Sequence, residues 1–378
     1  MILEVTGTNT RNKGAELMLV AIREHFSDHS DVELAVDQLF GSYSERAKHG
    51  LLQKVTLNGW GRSRAAVALM PREFRRAFGL VVRNDVDALL DAAGFAFGDQ
   101  HPPSRAVRFA RRVEAAKYAG KPVILLPQAL GPFEKPEIRD AFVRIVDAAD
   151  LVFARDDRSM QYAQEAVGPQ SHLWQAPDFT NLIRPQLNSD GEDTDRACIV
   201  PNERMIEKAE TEEEAAAYVP LLARCIEVVE REGLRPVLLI HEREDKDLAD
   251  EIRRHVGREM RLHEEDDPLA LKRFLGESRL VVGSRFHALV GALSQGIPAI
   301  GTSWSHKYEM LFKEYGCESM LLPVSARKEQ IQERVLRAKD TGGASLVADI
   351  RTNAEALRQE TRAMWEQVDD VLFGREET

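Results

Sequence analysis

Two hydrophobic patterns alternate along the chain. Short, continuous apolar runs predict buried β-strands, and longer stretches with an apolar residue every three or four positions predict amphipathic helices. The predicted strands are Ile2–Thr6, Val32–Val36, Asp87–Ala92, Pro122–Pro127, Asp150–Ala154, Ser171–Ala176, Ala197–Pro201, Pro236–His241, Met260–His263, Leu280–Gly283, Pro298–Gly301 and Met320–Pro323. The predicted helices include Ala15–His25, Ala106–Ala119, Ile138–Ala148, Glu212–Glu232, Asp245–Val256 and Pro268–Gly276. Strands that alternate with helices are typical of a parallel α/β sheet.

A polar, acidic stretch at residues 187–196 separates the two halves and predicts a linker. We therefore expect an N-terminal Rossmann-like domain over residues 1–186, a C-terminal one over 197–345, and a C-terminal helix over 346–378. The residues expected on the apolar face of that helix are Ile350, Ala354, Leu357, Thr361, Met364 and Val368. Two doubly wound domains that face each other bind ligands at the carboxyl ends of their strands, in the cleft between them.

Charge and cysteine content limit the function classes. The net charge of -11 argues against general binding to nucleic acids. The three cysteines are far apart, match no metal-binding spacing, and suit the reducing cytoplasm because their number is odd and no secretory signal is evident. No apolar run approaches the ~20 residues that span a bilayer. We expect a cytoplasmic protein without a metal.

The segment 280–311 contains two successive strand-to-helix junctions, each followed by cations. After Leu280–Gly283, Ser284 predicts a helix N-cap, with Arg285 and His287 in the first turn. Helix N-termini present N–H groups and a partial positive charge, and they therefore bind anions. Cations at such an end cost stability unless a negative ligand offsets them.

The second junction repeats this arrangement. After Pro298–Gly301, Ser303 or Ser305 predicts the next N-cap, and His306 and Lys307 follow in the first turn. The two junctions together predict a site for an anionic ligand.

Residues 8–16, which follow the first strand, form another candidate site. Small and polar residues with Gly14 permit close approach of the backbone to a ligand, and Asn12 and Lys13 are the candidate binding residues. The pattern is not a dinucleotide-binding or P-loop motif. A capped helix start, with Glu16 favourable to the helix dipole, explains the same residues.

Two polar residues end predicted strands of the first half. Gln128 offers a neutral hydrogen-bonding group, and a structural role in the turn that follows is equally consistent. Arg155 stands where a guanidinium binds a carboxylate or phosphate bidentately. The alternative for Arg155 is an internal ion pair with Asp156, Asp157 or Asp178.

Residues 60–83 form a basic, amphipathic stretch. Six arginines alternate with apolar residues such as Trp60, Phe74 and Phe78, and Glu73 is the only acid. Such a stretch binds anionic membranes, and a solvated helix face or a lid explains it as well. The sequence therefore permits peripheral contact with the inner membrane face.

Several segments, taken together, resemble the polysaccharide pyruvyl transferases. They are Asn12-Lys13-Gly14-Ala15-Glu16, PQALGPF at 127–133, ARDxxS at 154–159, Pro177-Asp178, Val200-Pro201-Asn202, SRFHA at 284–288 and WSHKY at 304–308. They occur in the family's order and cover roughly residues 1–316. The pair SRFHA and WSHKY is the most specific part of the resemblance.

The resemblance implies a fold similar to GT-B glycosyltransferases and a defined reaction. Pyruvate would pass from phosphoenolpyruvate to a sugar of a polysaccharide or lipid-linked saccharide, as a ketal across two hydroxyls, with release of phosphate and no cofactor. The family's essential arginine, histidine and lysine fall on Arg155, His287 and Lys307, which are therefore the predicted catalytic residues. The predicted substrate-binding residues are Asn12, Lys13, Gln128, Asp178, Asn202, Ser284, Arg285 and His306.

One segment departs from the family. Where the family often has a run of glycines, this chain has Ala92-Ala93-Gly94, inside a segment, 91–99, whose pattern favours a turn. We expect the N-terminal domain to bind the acceptor and the C-terminal domain the donor. The additional methyl groups would then narrow the acceptor side.

In the expected mechanism, cationic side chains of the protein bind the anionic donor. Arg155 and Arg285 would bind its carboxylate and phosphate, Lys307 would hold the phosphate, and His287 would be the general acid. A GT-B glycosyltransferase that uses nucleotide sugars is the competing interpretation, because helix N-termini bind a diphosphate equally well. A non-catalytic protein with an inherited fold is a third, against which the presence of Arg155, His287 and Lys307 argues.

Overall fold

The structure is a computed structural model. It describes residues 1–55, 67, 69–187, 195–302, 305–340 and 345–374. Within these ranges the chain packs as two compact units. One comprises residues 1–179 with residues 361–378, and the other comprises residues 180–360.

The first unit is built on a sheet of eight described strands, in which all neighbouring strands are parallel. The strands are β1 (Ile2–Thr6), β2 (Glu33–Asp37), β3 (Leu52–Lys54), β4 (Leu80–Val81), β5 (Ala88–Asp91), β6 (Val123–Gln128), β7 (Leu151–Ala154) and β8 (Leu173–Gln175). Their order across the sheet is β4-β3-β2-β1-β5-β6-β7-β8. The central strands are buried along their whole length, which is why their sequences are continuous apolar runs.

Helices cover this sheet. They are α1 (Lys13–His25), α2 (Tyr43–Lys48), α3 (Arg72–Ala77), α4 (Pro103–Tyr118), α5 (Pro136–Ala148) and α6 (Asp157–Val167), with 3₁₀ turns at Phe26–Asp28 and Arg83–Asp85. A further 3₁₀ turn, Phe179–Leu182, begins at the last residue of this segment and continues into the second unit. The apolar stripes of α4 and α5 form one core with β5, β6 and β7, in which Val113, Phe142 and Ile145 are completely buried.

The second unit is built on a sheet of five described parallel strands in the order β11-β10-β9-β12-β13. The strands are β9 (Arg196–Val200), β10 (Arg235–Ile240), β11 (Leu262–Glu264), β12 (Leu280–Gly283) and β13 (Ala299–Gly301). The first strand in the chain, β9, lies at the centre. The chain therefore adds strands first on one side of β9 and then on the other, which makes the carboxyl end of β9 a topological switch point.

The helices of the second unit follow its strands. They are α7 (Arg204–Glu207), α8 (Glu212–Arg231), α9 (Lys246–Val256), α10 (Pro268–Gly276), α11 (Phe286–Leu293), α12 (His306–Glu314) and α13 (Lys328–Lys339), with 3₁₀ turns at Arg243–Asp245 and Glu318–Met320. One continuous apolar core joins these helices to the sheet.

The predicted α/β architecture of parallel sheets is confirmed in both halves. Eleven of the predicted strands are present with bounds close to those expected, and Leu280–Gly283 matches its prediction residue for residue. The strand predicted at Met320–Pro323 is wrong: a 3₁₀ turn ends at Met320, and Leu321 makes a single bridge with Gly301. Pro323 has no N–H group with which to extend that pairing. Strands β3 and β4 are additional, and both are too short to give an apolar run.

The C-terminal helix, α14 (Leu346–Phe373), begins at the predicted residue and has the predicted buried face. Residues 375–378 of the predicted range lie outside the described residues. The residues of α14 up to Glu360 belong to the second unit, and those from Thr361 belong to the first. Arg196, the last residue of the predicted linker, is instead the first residue of β9 and is buried. Residues 188–194 of that linker lie outside the described residues, and the expected domain boundaries stay predictions.

Candidate functional site

The turn between β12 and α11 is held by a hydrogen-bond network centred on Ser284, which is fully buried. The Ser284 hydroxyl bonds to the Tyr218 hydroxyl at 2.9 Å and to Thr302 Oγ1 at 2.6 Å. Its carbonyl oxygen accepts hydrogen bonds from the Tyr308 hydroxyl, at 2.8 Å, and from Asn202 Nδ2. These four contacts fix the backbone from which α11 begins.

The predicted N-cap role of Ser284 is wrong. Helix α11 begins at Phe286, so that Arg285 is the N-cap residue, and it makes no side-chain capping bond within the described chain. The Ser284 hydroxyl cannot cap because Tyr218 and Thr302 engage it inside the core. The first N–H groups of a helix that has no side-chain cap can be satisfied by a bound anion.

Arg285 pairs with a buried carboxylate, Asp245. Its Nε donates to Asp245 Oδ2 at 2.8 Å, and its Nη2 donates to Oδ1. Asp245 also accepts from the backbone N–H groups of Glu203, at 3.0 Å, and Glu242, at 3.3 Å. From the sequence, Asp245 is only an acidic residue at a predicted helix start. The pair holds Arg285 in one orientation, and its expected contact with a donor stays a prediction.

The two predicted catalytic residues of the second unit, His287 and Lys307, both lie near the Phe286 ring. The His287 ring meets the Phe286 ring edge-on, with centroids 5.5 Å apart. Lys307 Nζ lies 5.1 Å from the same Phe286 ring and 5.4 Å from the Tyr308 ring. His287 and Lys307 each occupy the second position of their helix. Two helix starts therefore present an imidazole and an ammonium group around one buried aromatic side chain.

The start of α12 also has no side-chain cap. Ser305 is its N-cap residue, and its hydroxyl makes no capping bond within the described part of the chain. The other predicted cap, Ser303, lies outside the described residues, as does Trp304 of the WSHKY segment. His306, the first residue of α12, is half-buried and lines a cavity that Lys307 does not line.

In the first unit, Asn12 and Lys13 stabilise the start of α1. Asn12 Oδ1 accepts from the backbone N–H of Ala15 at 2.9 Å and thereby caps the helix. Lys13 Nζ lies 3.2 Å from Glu16 Oε2, and Glu16 Oε1 lies 2.9 Å from His49 Nε2. The interpretation as a capped helix start is confirmed, and substrate binding by Asn12 and Lys13 stays a prediction.

Arg155 lies buried directly after β7. Of the ion pairs considered from sequence, the one with Asp178 is present, with Nη1 3.5 Å from Oδ2. Asp156 instead caps α6 by accepting from the Ser159 N–H at 2.7 Å. The Ser159 hydroxyl in turn accepts from the backbone N–H of Leu130 at 3.0 Å. The ARDxxS segment therefore fixes its own helix start and the neighbouring loop around Arg155.

Gln128 lies beside a carboxyl group that the sequence does not predict for the site, Asp91. Gln128 Nε2 donates to Asp91 Oδ2 at 3.1 Å, and the Thr6 hydroxyl donates to Asp91 Oδ1 at 2.7 Å. All three residues are buried at the carboxyl ends of adjacent strands β1, β5 and β6. Gln128 Oε1 has no hydrogen-bond partner among the described residues. The signal for Asp91 in the sequence is an acid that directly follows an apolar run.

Burial raises the pKa of the Asp91 carboxyl, and the hydrogen bonds from Thr6 and Gln128 oppose this only in part. The folded state then binds more protons than the unfolded state from about pH 3.9, the ordinary Asp value, up to the raised pKa. The free energy of unfolding falls as pH rises through that window.

Asp91→Asn should therefore melt at a higher temperature than the wild type at pH 7, because an amide avoids the cost of a buried charge. Each pKa unit of that cost is worth about 1.4 kcal/mol. The advantage should shrink as the pH approaches 4, where the wild-type carboxyl is protonated. Thermal melts across this pH range measure it. Asp147→Asn, at an exposed carboxylate of α5, is the control and should show no such trend. Lower stability of Asp91→Asn at pH 7 would contradict the prediction.

Comparison with known proteins identifies the family of this chain. The family model described as "Polysaccharide pyruvyl transferase" matches residues 12–306, well over half of the chain. The chain belongs to the polysaccharide pyruvyl transferase family. No curated protein sequence matches it. Arg155 and His287 lie inside the matched range, which ends at His306, one residue before Lys307.

Solved structures similar to this pyruvyl transferase family member show its fold. MnaA of S. aureus, solved with UDP, has a TM-score of 0.61 at 13% identity, with 100% of this chain and 98% of that chain covered. Anabaena Alr3699/HepE, solved with UDP and glucose, has 0.57 at 13%, with 97% and 99% covered. The spinosyn rhamnosyltransferase SpnG has 0.57 at 14%, with 98% and 100% covered. The predicted GT-B-like fold is confirmed.

The basic stretch of this family member is described only in part, since residues 56–66 and 68 lie outside the described residues. In the described part, Arg75 pairs with Asp85 and Arg76 with Glu33. Phe74 and Phe78 are exposed and contact each other, with ring centroids 5.0 Å apart. Contact with a membrane stays a prediction.

Among the described residues, no three His, Cys, Asp or Glu side chains are grouped to hold a metal ion. No helix in the same part of the chain is long and apolar enough to cross a bilayer.

Proposed function

We propose that this chain transfers pyruvate from phosphoenolpyruvate to a saccharide, forms a ketal across two hydroxyls, and releases phosphate. The observation that carries the proposal is the pairing of His287 and Lys307 around Phe286 at two helix starts without side-chain caps, in a member of this family. A donor with a carboxylate and a phosphate is the kind of anion that such helix ends attract.

The proposed reaction balances with one acid and one base step. His287 gives a proton to the methylene carbon of phosphoenolpyruvate, which becomes a methyl group and leaves the adjacent carbon electrophilic. The first sugar hydroxyl adds to that carbon and loses its proton, which restores the protonated histidine. The carbon–phosphate oxygen bond then breaks, and the second hydroxyl closes the ketal. Its proton leaves with the phosphate.

The remaining cationic residues are proposed to attract the anionic donor. Lys307 binds the phosphate as a point charge, and its ammonium group is oriented by the Phe286 and Tyr308 rings. Arg155, in the first unit, stays a predicted catalytic residue, and its planar guanidinium suits a carboxylate or a phosphate. Arg285, paired with Asp245, fixes the N-cap position just before His287 and adds positive potential at that helix end. No cofactor enters the scheme.

A nucleotide-sugar glycosyltransferase is the competing candidate. The observation in its favour is the fold shared with SpnG, a rhamnosyltransferase, and with HepE, which was solved with UDP and glucose. Those structures are at most 14% identical to this chain, and a shared fold supports many reactions.

Ligand-induced stabilisation separates the two candidates. Phosphoenolpyruvate at 100 times its Kd should stabilise the protein by about 2.7 kcal/mol and raise its melting temperature. UDP- and GDP-sugars should not. Phosphate release from phosphoenolpyruvate should then depend on one member of a panel of acceptor glycosides. Stabilisation by a nucleotide sugar, with no response to phosphoenolpyruvate, would reverse the assignment.

Cell-surface polysaccharide synthesis is the proposed context, with exopolysaccharide as one product class. A lipid-linked acceptor would place the enzyme at the cytoplasmic membrane face. The exposed Phe74 and Phe78, on a basic segment, support that location.

A further inference from the structure

A cavity of about 910 Å³ lies in the second unit. Its walls are the chain that leads from α7 into α8, the start of α12, and residues 321–325. Thr302 and His306 line it, whereas His287 and Lys307 do not. Its volume is in the upper range of pockets that bind drug-sized ligands, and phosphoenolpyruvate, with ten non-hydrogen atoms, would fill little of it.

The charges around the cavity disfavour a strongly anionic ligand. Among the described residues that line it are four carboxylates, on Glu210, Glu213, Glu214 and Glu309, and one ammonium group, on Lys208. A donor with a charge near −3 would be repelled here. Carboxylates only accept hydrogen bonds, so they suit a neutral ligand with many hydroxyl donors.

Other lining residues fit the remaining surfaces of such a ligand. Met205, Leu321 and Leu322 give apolar contact area for the C–H faces of sugar rings. Ser305 also lines the cavity, and its hydroxyl oxygen is buried and has no hydrogen-bond partner among the described residues. It offers both a donor and an acceptor to a ligand hydroxyl.

The cavity is connected to the predicted catalytic turn by one hydrogen bond. Thr302, which lines the cavity, bonds through Oγ1 to the Ser284 hydroxyl at 2.6 Å. Ser284 is three residues before His287 and fixes the start of its helix. A ligand that contacts Thr302 therefore contacts the network that positions the proposed acid.

We propose that this cavity binds the saccharide acceptor, as a neutral oligosaccharide whose hydroxyls donate hydrogen bonds to the lining glutamates. The proposal rests on the proposed function, which requires a saccharide substrate. It differs from the expectation that the N-terminal domain binds the acceptor, and it accounts for a space in the second unit that the donor does not need.

Two neighbouring alanines of α8 give a matched test. Ala217 is half-buried and lines the cavity, whereas Ala216 is exposed and does not. Ala217→Trp should fill the cavity and raise the KM for the acceptor by about tenfold or more, which corresponds to about 1.4 kcal/mol of binding. The KM for phosphoenolpyruvate should not change. Ala216→Trp should leave both values unchanged. Ser325→Trp, at an exposed residue of another wall, replaces Ala217→Trp if that variant does not fold.

A direct binding measurement separates this proposal from the proposed function. Saturation-transfer NMR with a panel of methyl glycosides and short oligosaccharides needs no phosphoenolpyruvate. Signals with the wild type and Ala216→Trp, but not with the cavity variant, support the site even if no pyruvyl transfer occurs. Signals that persist in the cavity variant, or no saccharide signal with the wild type, overturn it. So does a cavity variant that loses affinity for phosphoenolpyruvate and keeps it for the saccharide.

Discussion

Replacement of His287 by alanine should lower kcat by about 10²–10⁴-fold, the usual contribution of a general acid. Alanine cannot protonate the methylene carbon of phosphoenolpyruvate, so the proposed first step loses its proton source. Donor affinity should change much less, because Lys307 keeps its position over the Phe286 ring. The measurements are kcat and KM from phosphate release, with the shift in melting temperature caused by phosphoenolpyruvate.

His263 provides the control for the loss of a histidine in the same unit. It is also half-buried, and its ring stacks on Phe274 with centroids 3.7 Å apart. His263→Ala should retain kcat within about twofold, because His263 takes no part in the proposed proton transfers. The variant does lose the stacking contact with Phe274. A His287→Ala enzyme with near wild-type turnover would remove the assigned role.

Replacement of Asp245 by alanine should lower the free energy of unfolding by about 3–5 kcal/mol, the typical cost of breaking a buried ion pair. The Asp245 side chain is 0% exposed and that of Arg285 is 13% exposed. The substitution leaves the guanidinium without its counter-charge. It also leaves the N–H groups of Glu203 and Glu242 without their acceptor. Urea unfolding followed by circular dichroism measures the loss.

The neighbouring pair of Arg243 and Asp266 is a matched, exposed control. Its side chains are 87% and 79% exposed, with Nη2 and Oδ1 3.4 Å apart. Asp266→Ala should cost only about 0–1 kcal/mol, because water screens both charges. Equal losses from the two substitutions would show that Asp245 and Arg285 do not act as a buried pair. Because Arg285 precedes His287 by two residues, Asp245→Ala should also reduce activity at temperatures where it stays folded.

The elements that could be predicted from the sequence are those whose cause is local. Parallel strands are buried on both faces, so β12 is a continuous apolar run and its bounds are predicted without error. In α14, apolar residues recur every three or four positions, and this spacing predicts which face of the helix is buried. The Asn12 cap follows from a residue type that accepts a hydrogen bond from its own helix.

What could not be predicted depends on partners that are distant in the chain. Ser284 has the residue type of an N-cap, but Tyr218, 66 residues away, and Thr302, 18 residues away, take its hydroxyl. Arg285 and Asp245 are 40 residues apart, and the sequence around either residue does not predict that they pair. Ser284 does not cap the helix because its buried hydroxyl forms hydrogen bonds with polar groups in the core instead.

The division of α14 between the units has a consequence for how the chain is made. Trp365 packs against Phe26 and Phe179 in the first unit, with ring centroids 5.9 Å and 5.8 Å away, and stacks on His25 at 4.0 Å. A ribosome must translate residues 180–360 before it reaches Trp365. At typical synthesis rates of about 5–20 residues per second, that delay is roughly 10–40 s. During this interval the first unit lacks part of its aromatic core, so the packing around Phe26 is completed only after Trp365 has been synthesised.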